Sequence, residues 1–96
     1  MDKTIYLTNL YDYYGELLTK KQQSYFEDYY FNNLSLSEIA ENENVSRNAA
    51  YSQIKNAEEK LNYYEDILNL YNKSKEIKKI IKKLDKDTKQ KIEELI

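Results

Sequence analysis

The sequence predicts an all-α protein built around a helix-turn-helix, and three observations carry that prediction. The 96 residues hold no Pro and a single Gly, so nothing punctuates the chain as a set of hairpins would require. Apolar residues recur at three- and four-residue steps along most of its length. Thr19 with Gln22, and Ser35 with Glu38, have the spacing of capping boxes and mark two helix starts.

A first helix is predicted over about Lys3 to Leu17, with Leu7, Leu10, Tyr14 and Leu17 on one face beside Tyr6 and Tyr13. Gly15 falls inside it, at a cost of about 1 kcal/mol against Ala. Thr19 opens a second helix that runs to about Phe31 with a broad aromatic face of Tyr25, Phe26, Tyr29 and Tyr30. Asn32 and Asn33 end it. Residues 34–61 then spell two helices joined by a very short turn. Ser35 caps the first, whose inner face is Ile39 and Ala40. Asn44 sits where the chain must reverse, and Asn tolerates the left-handed conformation such a turn needs. Val45 is expected to pack inward, Ser46 to cap the next helix, and Arg47 and Asn48 to open it. Ala49 and Ala50 are small enough for the two helices to cross closely. A motif of this kind is most often used to place its second helix in the DNA major groove.

That second helix does not stop at ordinary length. Ala50, Ile54, Ala57, Leu61, Tyr64 and Leu68 form a heptad-like seam to about Tyr71. Asn72, Lys73 and Ser74 predict a break, which divides the chain into a helix-turn-helix domain, 1–71, and a Lys-rich helical tail, 72–96. Ile77, Ile81 and Leu84 renew the seam, and Asp85 or Asp87 caps a last helix carrying Ile92, Leu95 and Ile96. An apolar stripe on a Lys-rich helix must be buried. Leu61, Leu68, Ile77, Ile81 and Leu84 are therefore candidates for dimer or tail packing. Fold-back across the break is one solution; a homodimer with each tail on the other protomer is the expected one.

Composition excludes whole classes of chemistry. With no Cys there are no disulfides or thiolate metal sites, and with no His there is no imidazole catalysis or ordinary zinc site. Adjacent acids such as Glu58-Glu59 and Glu65-Asp66 point to different sides of a helix and do not converge on a substrate. No metal, cofactor or enzymatic activity is expected. Neither a signal peptide nor a run able to cross a membrane is evident, so a cytoplasmic location without membrane insertion is expected. Eleven Tyr and two Phe mean that the core is built partly from Tyr, whose hydroxyls need partners. Charge is uneven: residues 1–72 carry a net −6 and residues 73–96 a net +4. An acidic helix-turn-helix argues against strong autonomous DNA binding, since phosphate contacts supply most non-specific affinity.

The order Leu-Leu-Thr-Lys-Lys-Gln over 17–22, Tyr29-Tyr30, Ser35-Leu-Ser-Glu-Ile-Ala40, Asn44-Val-Ser-Arg47, and Ala49 with Tyr51 resembles the YlxM-like bacterial proteins. The resemblance covers roughly residues 3–71. It implies a sigma-like helix-turn-helix bundle with a long fourth helix and a helical tail. It also implies a cytoplasmic, non-enzymatic accessory or regulatory factor of the signal recognition particle pathway, with the particle's protein or RNA as partner. Glu43, where the family usually has a bulky apolar residue, Ala50, where it has Val, and Gly15 depart from that pattern.

Arg47, Asn48, Tyr51, Ser52 and Lys55 face outward at the start of the second motif helix and are the candidate nucleic-acid-binding residues, Arg47 and Asn48 being the best base readers. The plainer reading makes them the solvated face of a helix-turn-helix kept as a protein-binding scaffold. The Tyr-rich faces could stack single-stranded RNA, but Tyr at helical spacing usually packs. The Lys run of the tail could bind RNA or an acidic protein, or be a solvated face. The function expected is an accessory role in the signal recognition particle pathway with weak nucleic-acid binding. The alternatives are a DNA-binding transcriptional regulator and a dimeric protein–protein adaptor.

Overall fold

Among the described residues, five of the six α-helices start on a side-chain oxygen that accepts a backbone N–H, which satisfies donors the first turn leaves unpaired. The computed structural model describes residues 2–96. Its elements are α1 (Lys3–Tyr14), a 3₁₀ turn (Gly15–Leu17), α2 (Lys20–Tyr30), α3 (Leu36–Glu43), α4 (Arg47–Leu68), α5 (Leu70–Ile80), a second 3₁₀ turn (Ile81–Lys83) and α6 (Lys86–Glu93). No strand occurs among the described residues. Both capping boxes form: Thr19 Oγ1 accepts from Gln22 N–H at 3.1 Å and Ser35 Oγ from Glu38 N–H at 3.1 Å. Asp85, rather than Asp87, caps α6. Three Asn residues supply the left-handed positions at helix ends: Asn33 (φ 58°), Asn44 (φ 57°) and Asn69 (φ 56°).

Two apolar clusters hold these helices. Leu7, Leu10, Tyr14, Leu18, Phe26, Ala57, Leu61 and Tyr71 join α1, α2, α4 and α5. Tyr25, Ile39, Ala40, Ala50 and Ile54 join the two motif helices to α2. Tyr30 packs against both clusters and links them. Every buried side-chain polar atom among the described residues has a hydrogen-bond partner. The Tyr hydroxyls find carboxylates: Tyr11 donates to Glu27, Tyr30 to Glu58 at 2.6 Å and Tyr14 to Glu65 at 2.5 Å.

Four sequence expectations are corrected. The first α-helix stops at Tyr14, and the tighter 3₁₀ winding of residues 15–17 buries Leu18 and leaves Leu17 exposed. Gly15 has an ordinary helical φ of −56°; it is there for space, because a Cβ would lie 3.0 Å from the Tyr11 ring. Val45 is exposed, not packed inward: its N–H closes on Ala40 O at 2.9 Å, and the motif helices meet through Ile39, Ala40 and Ala50 instead.

The largest correction is the break. It falls at Asn69, not at residues 72–74, which are helical. Beyond Leu61 the buried line passes to Glu65, and Leu68 is exposed. The Glu65 carboxylate accepts the Tyr71 N–H at 3.1 Å and the Asn72 N–H at 3.0 Å, and Tyr14 Oη accepts the Leu70 N–H at 3.0 Å. These groups cap α5, whose N-cap residue makes no side-chain bond of its own. The tail then lies back along α1. Tyr71 packs edge-on to Tyr6 and Tyr13, Asn9 donates to Tyr71 Oη at 3.2 Å, and Ile96 reaches a groove lined by Asn9, Asp12 and Tyr13. Farther along the tail Ile81 is buried and Ile77 half-buried, whereas Ile80, Leu84 and Leu95 are exposed.

Candidate nucleic-acid interface

The first turns of α4 are positioned by Ser46, whose Oγ accepts the Ala49 N–H at 3.0 Å. Asn44 in the left-handed region turns the chain out of α3 just before it. Ala50 and Ile54 anchor the inner side of α4 in the second cluster, at 0% and 3% exposure. With that side fixed, helical geometry turns positions 47, 48, 51, 52 and 55 outward. Arg47, Asn48, Tyr51 and Ser52 are exposed and Lys55 is half-buried.

Of these five, Tyr51 and Lys55 line a shallow groove together with Lys3, Tyr29, Leu36 and Glu58. Arg47, Asn48 and Ser52 stand outside it. The sequence reading missed the far wall of this groove. Lys3 and Tyr29 come from α1 and α2, and only the fold brings them beside α4. Lys3 Nζ lies 3.3 Å from Glu58 Oε1, so one of the two groove cations is already paired.

The electrostatics are mixed. The exposed side of α3 carries Glu38, Glu41 and Glu43. The Glu38 carboxyl is held below the usual carboxylate range by hydrogen bonds from Ser35, so it stays charged. Tyr25 is pushed above the usual phenol range by burial first and by the charge of Glu43 second. Tyr30, on the groove wall, is pushed up by burial and by its bond to Glu58. The surface can thus offer one guanidinium, one amide, one hydroxyl and one exposed Tyr to a ligand, beside a helix of like charge to phosphate. The described residues contain no group of three or more acidic side chains arranged to hold a metal ion, and no helix long and apolar enough to cross a membrane.

Most of the remaining Tyr residues are structural. Tyr14, Tyr25 and Tyr71 are buried, and Tyr11 stacks on Phe26 with ring centroids 4.6 Å apart. The outward Tyr residues are Tyr29, Tyr51 and Tyr63. Of the tail-packing candidates, Leu61 and Ile81 are buried within the chain, Ile77 is half-buried, and Leu68 and Leu84 are exposed.

Comparison with known proteins agrees with this architecture. Residues 1–96 match the model of the UPF0122 family, described as "Putative helix-turn-helix protein, YlxM / p13 like". A UPF0122 protein of Fusobacterium nucleatum is 44% identical over 97 residues, spanning all of this chain and 94% of its own. One of Caldanaerobacter subterraneus is 46% identical over 83 residues, 86% of this chain and 71% of its own. One of Oceanobacillus iheyensis is 46% identical over 84 residues, 88% of this chain and 80% of its own.

Proposed function

The chain belongs to the UPF0122 family of YlxM/p13-like helix-turn-helix proteins, and from that premise we propose that it is a non-enzymatic accessory or regulatory protein of the signal recognition particle pathway, acting in the cytoplasm. The resemblance of its motif residues to the YlxM-like proteins supplies the pathway. One observation carries the mode of action: the helix start at Arg47, Asn48 and Tyr51 is open to a ligand, yet it sits beside the exposed carboxylates of Glu38, Glu41 and Glu43. Such a face gains little from phosphate attraction alone. It suits a module that joins an existing protein–RNA assembly, where a protein partner contributes most of the affinity and the reading face adds orientation.

A DNA-binding transcriptional regulator is the second reading. What favours it is the exposure of Arg47 and Asn48 at the start of α4, where a reading helix presents its base contacts.

The test is a pull-down with the purified signal recognition particle of the same organism, its GTPase subunit alone and its RNA alone. Retention by the particle or by either part, at low and moderate salt, is expected. No retention by any of the three removes the proposal. A sequence-specific duplex DNA complex without particle binding establishes the second reading in its place.

A further inference from the structure

The molecule is longer and more exposed than its mass requires. A compact domain of this length has a radius of gyration of about 12.5 Å, against 16.5 Å here, with extents of 53 × 25 × 23 Å. A monomer of 11.6 kDa exposes about 5,800 Å², against 6855 Å² here. The excess of about 1,000 Å² is on the scale of the roughly 800 Å² that each partner buries in a stable interface.

Two apolar surfaces contribute to this excess. One lies at the α4–α5 bend, where Tyr63, Ile67 and Leu70 are 54%, 60% and 46% exposed. The other is on the tail, where Ile80, Leu84 and Leu95 are 77%, 44% and 85% exposed. The two do not cover each other within one chain: all six side chains stay exposed while α5 packs on α1 through Tyr71.

Their surroundings are opposite in charge. The body, residues 1–72, is net −6 and the tail net +4. Exposed Glu59 and Asp66 flank the bend, and exposed Lys79 and Lys83 flank the tail stripe. Among the described residues, the tail's one ion pair is Lys79 with Glu76 at 3.6 Å, inside its own helix. Its lysines therefore make no ion pair with the acidic body of their own chain.

We propose that a second copy of this chain covers both surfaces. The tail of each protomer lies across the α4–α5 bend of the other in a two-fold dimer, Ile80 and Leu84 against Tyr63 and Ile67, with tail lysines facing body carboxylates. Such an isologous arrangement buries each surface twice, and one chain supplies both complementary halves. The reading face at Arg47 lies at the other end of α4, so both copies keep it open.

Sedimentation equilibrium of the full chain, and of the full chain carrying Ile67→Asp or Ile80→Asp, tests this. Both positions are exposed, so helicity by circular dichroism should match the parent, and so should the thermal midpoint when all are compared at concentrations where they are monomers. The parent is expected to dimerise at micromolar concentration, and each variant to weaken its own dimer by about tenfold or more. Mixing the two variants is the decisive arm. The mixed dimer restores one intact tail-on-bend contact of the two, so association must recover relative to either variant alone. A parent that stays monomeric at high micromolar concentration overturns the proposal. So does a dimer indifferent to both substitutions, mixing without recovery, or association that appears only when RNA is added.

Discussion

The phenol of Tyr14 at the end of α1 donates a 2.5 Å hydrogen bond to the buried carboxylate of Glu65 near the end of α4. The same carboxylate accepts the first backbone donors of α5, and Tyr14 accepts the Leu70 N–H. Two side chains 51 residues apart thereby fix where α4 ends, where α5 begins and how the tail leaves the body. Glu65 is a structural carboxylate, and removing it takes away an acceptor shared by three donors, the Tyr14 hydroxyl and the Tyr71 and Asn72 N–H groups.

Glu65→Ala should destabilise the fold by about 2–4 kcal/mol, since a buried donor left unpaired costs about 1–3 kcal/mol and partial solvation recovers some of the total. Tyr14→Phe keeps the ring and removes only the hydroxyl, so about 1–2 kcal/mol is expected. Urea unfolding measures both. Because the two groups share one network, the double variant should cost less than the two losses added together. Full additivity would show that Tyr14 and Glu65 act independently.

Gly15 gives a second test. Its φ is helical, so Ala would ordinarily stabilise this position by up to about 1 kcal/mol. Here the added methyl meets the Tyr11 ring at 3.0 Å. That ring cannot move freely, because it stacks on Phe26 and its hydroxyl is bonded to Glu27. Gly15→Ala should therefore destabilise the parent by about 1 kcal/mol, near the low end for overpacking. In a Tyr11→Ala background the same substitution should become neutral or stabilising. A stabilising Gly15→Ala in the parent itself would contradict the assigned packing.

The Tyr–Glu pairs set an alkaline limit on stability. Burial, and then the bond to a carboxylate, pushes the Tyr11, Tyr14 and Tyr30 phenols above their ordinary 10.0. The folded state thus keeps protons that the unfolded chain has lost, and stability falls with pH wherever that difference exists. The contribution is complete below about pH 10 and is lost as pH rises beyond it. The urea midpoint should be flat between about pH 8 and pH 9 and decline steeply above about pH 10. Tyr30→Phe should lower stability at neutral pH and make that decline shallower. An unchanged slope would mean that Tyr30 ionises with equal ease folded and unfolded.

What was legible in the sequence was local. Ser35 with Glu38, Asn44 and Ser46 each act within four residues, so the helix-turn-helix and its outward face at Arg47 to Lys55 could be placed from spacing alone. The misplaced features depend on distant partners or on a change of winding. Asn72 to Ser74 read as a break because the bend at Asn69 is stabilised by Tyr14, which spacing along α4 cannot reveal. Leu17, read as an inner-face residue, gives way to Leu18 because the chain switches to a tighter helix after Tyr14. The groove beside the candidate face was invisible for the same reason, since Lys3 and Tyr29 arrive there from other helices.

Duplex DNA supplies the test of the reading face itself. The motif helices expose Glu38, Glu41 and Glu43 beside Arg47, and phosphate neutralisation needs several cations. Binding to random duplex at near-physiological salt should be weak, and it should fall further as salt rises, with a shallow slope because few lysines or arginines reach the backbone. Arg47→Ala should weaken what binding there is by a few-fold, about 1 kcal/mol, because the remaining contacts are an amide, a phenol, a hydroxyl and a half-buried ammonium. Glu41→Lys with Glu43→Lys gives the reciprocal arm: if the acidic surroundings are what limits affinity, reversing two exposed charges should strengthen binding and steepen its salt dependence. Fluorescence anisotropy over a salt series reads both quantities. A nanomolar, sequence-specific complex lost in Arg47→Ala would mean that base contacts dominate despite those carboxylates, and would make the transcriptional-regulator reading the better one.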